Sequence, residues 1–277
     1  MSVDGSATLF VVSTPIGNMG DFSFRAVEIL GQVSAVLAED TRHSRHLLDR
    51  YDITTPLVPY HEHNEAKTTP RLVARLLEGE SLALISDAGT PLLSDPGARL
   101  VSAAVDAGIT VSAIPGASAM LAALVSSAIP LDRFTFYGFL PRKGAERRAA
   151  LEEIVALRHA AVVYEAPARV ADTLAECASL GAGERTAAVA RELTKQYETT
   201  RRGTVAALAA YYSGEPPRGE VVIVIAGAGV AASATEEELR ARAQALRAEG
   251  HSSRDVAAML ASEMGAPRNL AYRLAHE

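Results

Sequence analysis

The chain has 277 residues, 48% of them hydrophobic and 22% charged, with a formal net charge of −6. That length exceeds one small core and suits two domains of roughly 100–150 residues, and the ordinary composition excludes wholesale disorder. A single cysteine, Cys177, excludes an internal disulfide and a cysteine-based zinc site, and an acidic body excludes nucleic-acid binding by overall charge, leaving only local basic patches for it.

The opening Met1-Ser2-Val3-Asp4-Gly5 has no basic stretch, and the apolar run Leu9 to Val12 is too short for a signal sequence. No run of about 18 apolar residues predicts a transmembrane helix. The expectation is a cytoplasmic protein with no membrane association.

Short apolar runs alternate with helical spacing. Strands are predicted at Leu9 to Val12, Ala35 to Ala38, Leu82 to Ile85 and Thr110 to Ile114, with helices at Phe24 to Gln32, through Leu47 and Leu48, at Leu72 to Leu77 and at Ala98 to Ala107. This order predicts an α/β domain with a largely parallel sheet over residues 1–126. Strands at Phe134 to Tyr137, Ala161 to Tyr164, Ala187 to Ala190 and Val221 to Ile225 predict a second α/β domain over 127–230. Helices at Ala145 to Leu157, Val170 to Leu180 and Ala206 to Tyr212 accompany them.

A smaller helical region spans 231–277. Thr235 and Glu238 form a capping box, each satisfying a free backbone N–H, and Ser252 or Ser253 opens the next helix. The region fits a helix-turn-helix or a helical cap over a hydrophobic face; its near balance of acidic and basic residues favours the cap. Leu174, Ala175 and Ala178 place Cys177 on a helical core face, without a basic neighbour in sequence to activate its thiol.

Four loops follow the strands of the first domain, where open α/β sheets bind ligands. Ser13 to Asp21 carries Pro15, Gly17 and Gly20 and reads as a stiff strand–helix turn. Glu39-Asp40-Thr41-Arg42-His43 offers two carboxylates for acid/base work, or an N-cap at Asp40 or Thr41. Ser86 to Gly97 lacks both the dinucleotide and the Walker fingerprints. Its glycines let backbone amides approach a ligand, and without a lysine the cradle suits a small ligand with carboxylate and sugar better than a triphosphate. Ile114 to Met120 enters a helix of small residues that leaves room for something flat. His61-Glu62-His63 falls in a loop beside Asn64 and Glu65, so no metal site is expected, and no nucleophile elbow occurs.

In this order the loops resemble the tetrapyrrole methylases. The resemblance rests on Thr14-Pro15-Ile16-Gly17-Asn18, Ala38-Glu39-Asp40-Thr41-Arg42-His43, Ser86-Asp87-Ala88-Gly89-Thr90-Pro91, Asp95-Pro96-Gly97 and Pro115-Gly116. It continues through Gly138-Phe139-Leu140-Pro141, Tyr164-Glu165, Ala190 to Lys195 and Gly219-Glu220. Within the family the pattern is most similar to the branch that methylates a cytidine ribose 2′-oxygen in 16S ribosomal RNA of the small subunit.

The resemblance implies two α/β domains with S-adenosylmethionine in the cleft between them, and a homodimer. Cofactor contacts are implied at Pro15, Asp87, Gly89, Thr90, Leu93, Ser118 and Ala119, and in the second domain near Glu165, Ala190 and Ala226. The tetrapyrrole enzymes have more glycine in the third loop and an aspartate where Thr90 stands. A ribose hydroxyl attacks well only when its proton is removed or tightly held; Glu39 and Asp40 are the expected acceptors, and Lys195 serves phosphate or proton transfer. Three basic groups answer the acidic net charge: Arg42 with His43, Arg45, His46 and Arg50; Arg142 and Lys143 with Arg147 and Arg148; Arg191 and Lys195 with Arg201 and Arg202. At the cleft mouth they would grip phosphates. Two other readings stay open: methylation of a tetrapyrrole or another small molecule, and a non-catalytic RNA-binding assembly factor.

Overall fold

The computed structural model describes residues 7–228, 236–264, 266 and 268–277. The first sheet joins β1 (Thr8–Val12), β2 (Ala35–Ala38), β3 (Leu57–Pro59), β4 (Leu82–Ile85) and β5 (Thr110–Ile114). Its order is β3-β2-β4-β1-β5 and every pairing is parallel. Because side chains alternate along a strand, Val12, Val36, Ala38, Ala83 and Ile85 face one side. There they meet α1 (Phe24–Gln32) and α2 (Thr41–Arg50). Leu9, Leu37, Leu82 and Leu84 face the other side, against α3 (Glu65–Leu77) and α4 (Ala98–Asp106). Burial on both faces is why these strands read as unbroken apolar runs.

From β5 the chain enters α5 (Ala119–Ser127). Its Ala123 and Leu124 pack not on the first sheet but on Val162, Ala188, Ala190, Val222 and Val224 of the second. The second sheet contains β6 (Phe134–Phe139), β7 (Ala160–Glu165), β8 (Thr186–Arg191), β9 (Thr199–Thr204) and β10 (Val221–Ile225) in the order β6-β7-β10-β8-β9. Only β6 and β7 pair in parallel. The opposite face is covered by α6 (Gly144–Ala156), α7 (Val170–Cys177) and α8 (Val205–Gly214). Cys177 is fully buried in that core, and burial pushes its thiol up to about 11 despite nearby Arg147 and Arg185.

The C-terminal region forms α9 (Glu236–Ala248), α10 (Ser253–Met264) and α11 (Arg268–His276). Ser252 caps α10, its hydroxyl accepting from the Asp255 N–H at 3.2 Å; Thr235 of the expected capping box lies outside the described residues. Leu239, Leu246, Val256, Leu260 and Leu274 bury one another, so the three helices enclose a core of their own. Among the described residues no helix is long and apolar enough to cross a membrane.

Candidate active site

A parallel sheet sends all its carboxyl ends to one edge, so the loops after β1, β2, β4 and β5 meet there. Thr14 and Gly89 exchange backbone hydrogen bonds of 2.8 and 3.1 Å, joining the first loop to the third. The Thr90 hydroxyl lies 2.9 Å from that of Ser13 and donates to the Ala117 carbonyl at 3.2 Å, which ties in the fourth. Gly89 has φ +82°, and a Cβ there would stand 3.2 Å from Ile16 Cγ2; this position needs glycine both for its turn and for the close approach. Leu92 and Ser94 also take left-handed backbone, φ 73° and 74°, a local strain that the surrounding packing must hold. Ser94 is held under the second domain: a Cβ on Gly138 would lie 2.7 Å from its Oγ.

The second domain closes the space with the end of β7 and the start of β10, which are antiparallel and bring Tyr164 opposite Val222 and Glu165 opposite Val221. The result is a cavity of about 380 Å³ between the domains, within the usual size of small-molecule sites. Its first-domain wall includes Ile16, Glu39, Asp87, Gly89, Thr90, Leu93, Asp95, Ser118 and Ala119; Phe139, Tyr164, Glu165 and Glu220 face them from the second domain.

Three carboxylates, Glu39, Asp87 and Asp95, share the first-domain wall. Burial, reinforced by Asp87, raises the Glu39 carboxyl above its ordinary value. Burial and the charges of Glu39 and Asp87 push Asp95 up to about 6, against a hydrogen bond from Ser86. Asp40 behaves differently. Its Oδ1 accepts from the backbone N–H groups of Arg42 (2.8 Å) and His43 (3.3 Å), capping α2, and those bonds hold its carboxyl below the usual range. It does not reach the cavity wall, so of the two adjacent carboxylates only Glu39 does.

Lys195 stands at the edge rather than on the wall. Its Nζ donates to Glu192 and Glu220, each at 3.1 Å. Burial pulls the ammonium down, but these two carboxylates outweigh it and raise its pKa, so the group remains charged. Glu165 is the end of a buried ionic network: it accepts from the Thr173 hydroxyl at 2.6 Å and lies 3.8 Å from Arg147 and 3.4 Å from Arg169.

Other sequence-predicted residues fall elsewhere. Pro15 is buried behind Ile16, Ala190 is packed in the α5-facing core, and Ala226 lies beyond the far end of β10; none lines the cavity. Arg42, Arg142 and Lys143 are exposed, and Arg191 lines a neighbouring groove. Arg147, expected among the phosphate-facing cations, is corrected to an internal residue: it is 6% exposed and bonded to Glu176, Thr173 and the Pro141 carbonyl. Arg202 is likewise held by the Ser126 and Ser127 carbonyls at the end of α5. Asp95, Tyr164, Phe139 and Glu220 also line the wall; each lies inside a motif of the family pattern, but the sequence carries no signal that its side chain faces the cavity. Among the described residues no group of three or more His, Cys, Asp or Glu side chains is arranged to hold a metal ion.

Residues 8–209 match the Tetrapyrrole (Corrin/Porphyrin) Methylases. The Ribosomal RNA small subunit methyltransferase I of Xylella fastidiosa is 47% identical over 275 residues, covering 98% of this chain and 99% of that one. The protein of the same name from Synechocystis sp. is 44% identical over 271 residues, 97% of each. Among solved structures, the methyltransferase CobJ superposes with a TM-score of 0.59 at 16% identity, over 80% of this chain and 95% of its own. Uroporphyrin-III C-methyltransferase from Thermus thermophilus, complexed with S-adenyl homocysteine, gives 0.56 at 17% identity, over 80% and 97%. The solved structures share the fold, the sequence relatives share nearly the whole chain, and the protein belongs to the tetrapyrrole methylase family.

Proposed function

We propose that this protein is an S-adenosylmethionine-dependent methyltransferase that modifies 16S ribosomal RNA of the small subunit, at the ribose 2′-oxygen of a cytidine. The observation that carries the reading is the interdomain cavity, walled by the loops after β1, β2, β4 and β5 and by the facing ends of β7 and β10. The names of the full-length relatives supply the substrate class.

The wall fits the cofactor. Gly89 lets backbone approach the ligand, Leu93, Ser118 and Ala119 leave space, and the carboxylates Glu39, Asp87 and Asp95 suit a sulfonium cation. When bound, S-adenosylmethionine supplies a methyl group already activated for transfer, so the protein's main contribution is positioning. Glu39 and Asp95 are the groups able to take or hold the proton of an incoming ribose hydroxyl, because both face the cavity and both have raised pKa values. Asp40 orients α2, and Lys195, held as an ammonium, keeps a positive charge at the rim for a phosphate rather than accepting a proton. Exposed Arg42, Arg142 and Lys143, and half-buried Arg191 in the neighbouring groove, are assigned to the RNA backbone. The same reading makes the enzyme a cytoplasmic homodimer.

The test is methyl transfer from labelled S-adenosylmethionine to unmodified small subunits, free small-subunit RNA and a tetrapyrrole precursor, followed by mapping. Label on a cytidine 2′-oxygen is the expected result. Label on the tetrapyrrole alone moves the substrate to a small molecule, and absence of cofactor binding removes the enzymatic reading.

A further inference from the structure

A second concavity, about 1100 Å³, opens beside the cofactor cavity. Its floor is β9, the edge strand of the second sheet, and its rim is the end of α8 and the turn that leads to β10. Arg191, Arg201 and Arg218 line it, and among the described residues none of the three has a carboxylate within ion-pairing distance. In a protein of net charge −6 this is a concentration of unmatched positive charge. Aromatic surface is interleaved with it: Tyr197 is 66% exposed, and the Arg201 guanidinium lies 3.6 Å from the centre of the Tyr211 ring. Two carboxylates also line the groove, fewer than its arginines: Glu192 pairs with Lys195, and Glu215 accepts from the Tyr211 hydroxyl.

The two concavities are adjacent. Gly219 lines both, and the Glu192 side chain packs against it so closely that a Cβ there would fall 2.1 Å from Glu192 Oε1. Cations that track a backbone, beside ring faces and guanidinium planes that accept any base, form the surface that binds single-stranded nucleic acid. A duplex would offer its phosphates but not its base faces to the groove.

We infer that this groove holds the unpaired RNA strand flanking the target nucleotide, with a base stacked on Tyr197, another on the Arg201–Tyr211 pair, and phosphates on Arg191 and Arg218. The inference rests on the RNA reading above and adds where the strand runs and in what form. It requires the target to be presented unpaired, at least on the side that enters past Gly219.

The experiment measures binding of a fluorescent single-stranded oligoribonucleotide of about 12 nucleotides to the full chain, with methyl-transfer kinetics in parallel. Tyr197→Ala weakens binding roughly 5- to 150-fold, the usual effect of losing one stacked base. Arg218→Gln lowers the slope of log affinity against log salt by about 0.7, one phosphate contact on a single strand. Both raise KM more than they lower kcat, leave S-adenosylmethionine affinity unchanged, and exceed the effect of Arg254→Gln on remote α10. Wild-type methylation of RNA with both variants binding and turning over normally overturns the groove and spares the enzyme. Tyr197-dependent binding by a wild-type protein that methylates no RNA supports the groove and overturns the RNA-methylation reading. A changed sedimentation mass in either variant makes the groove a contact between copies of this chain and overturns the RNA assignment.

Discussion

The alkyl stem of Lys195 lies across Gly17 so closely that a Cβ on the glycine would fall 2.4 Å from Lys195 Cγ and 2.9 Å from Cε. Gly17 belongs to the loop after β1 and Lys195 to the turn after β8, so the contact joins the two domains at the rim of the cavity. Around it, Glu192 and Thr194 hold left-handed backbone at φ 51° and 67°, and the Thr194 hydroxyl accepts from the Asn18 N–H at 3.1 Å. Gly17→Ala therefore forces the stem aside and adds a side chain at φ +151°, for a cost of about 1–3 kcal/mol. Thermal unfolding reads the loss, and calorimetry reads weaker cofactor binding as the domains separate. Adding Lys195→Ala restores part of the melting temperature, since the steric component disappears with the stem; no recovery refutes the steric cause.

Arg147 and Arg148 are neighbours with opposite fates. The Arg147 side chain is 7% exposed and the Glu165 side chain is fully buried, whereas Arg148 is 74% exposed and pairs with Glu152. Removing one member of a buried ionic network strands the other's charge. Arg147→Ala is expected to cost about 3 kcal/mol in urea unfolding, with Arg169 still near Glu165, while Arg148→Ala stays within about 0.5 kcal/mol. Equal small effects would mean that Arg147 serves a ligand rather than the core.

Glu39 and Asp40 separate in the same manner. Glu39 faces the cavity, and Asp40 spends its carboxylate on two helix amides. Glu39→Gln keeps the shape and removes the proton acceptor, so kcat falls by about 100-fold or more if Glu39 carries the proton transfer. Asp40→Ala lowers the melting temperature by loss of the cap, and Asp40→Asn, an equally good cap, restores it. A large kcat loss in Asp40→Asn with normal melting would return the chemistry to Asp40.

The strand positions were legible because buried parallel strands carry their own signal. Leu82–Ile85 and Val221–Ile225 are apolar on both faces and occur where the pattern predicts them. β9, Thr199–Thr204, was not legible: an edge strand with Arg201 and Arg202 has no apolar alternation, and only pairing with β8 reveals it. β3 is three residues long, too short for any period. The destination of α5 was hidden because Ala119–Ser127 is small and apolar nearly all round, so its sequence does not say which sheet it covers. At the site, the loops were legible by their strand-end placement, but which carboxylate faces inward depends on caps and turns. Asp95 follows a strained Leu92–Ser94 segment that turns it toward Glu39 and Asp87.

Asp95 gives the pH prediction. Its carboxyl is raised from 3.8 to about 6 in the folded chain, so the native state holds that proton more tightly than the unfolded state. Between those values the unfolded chain releases the proton first, and stability from this group falls as pH rises, reaching its full loss above about pH 6. Asp95→Asn keeps the neutral form at every pH. The variant therefore melts higher than wild type by a margin that is largest at neutral pH and shrinks as pH falls below 6. Activity runs the other way: a carboxylate that accepts a proton must first be ionised, so wild-type kcat rises through about pH 6, and Asp95→Asn flattens that limb while lowering the plateau. A stability margin that does not change with pH would place the Asp95 proton in solvent, and an unchanged kcat limb in the variant would leave Glu39 as the group that titrates.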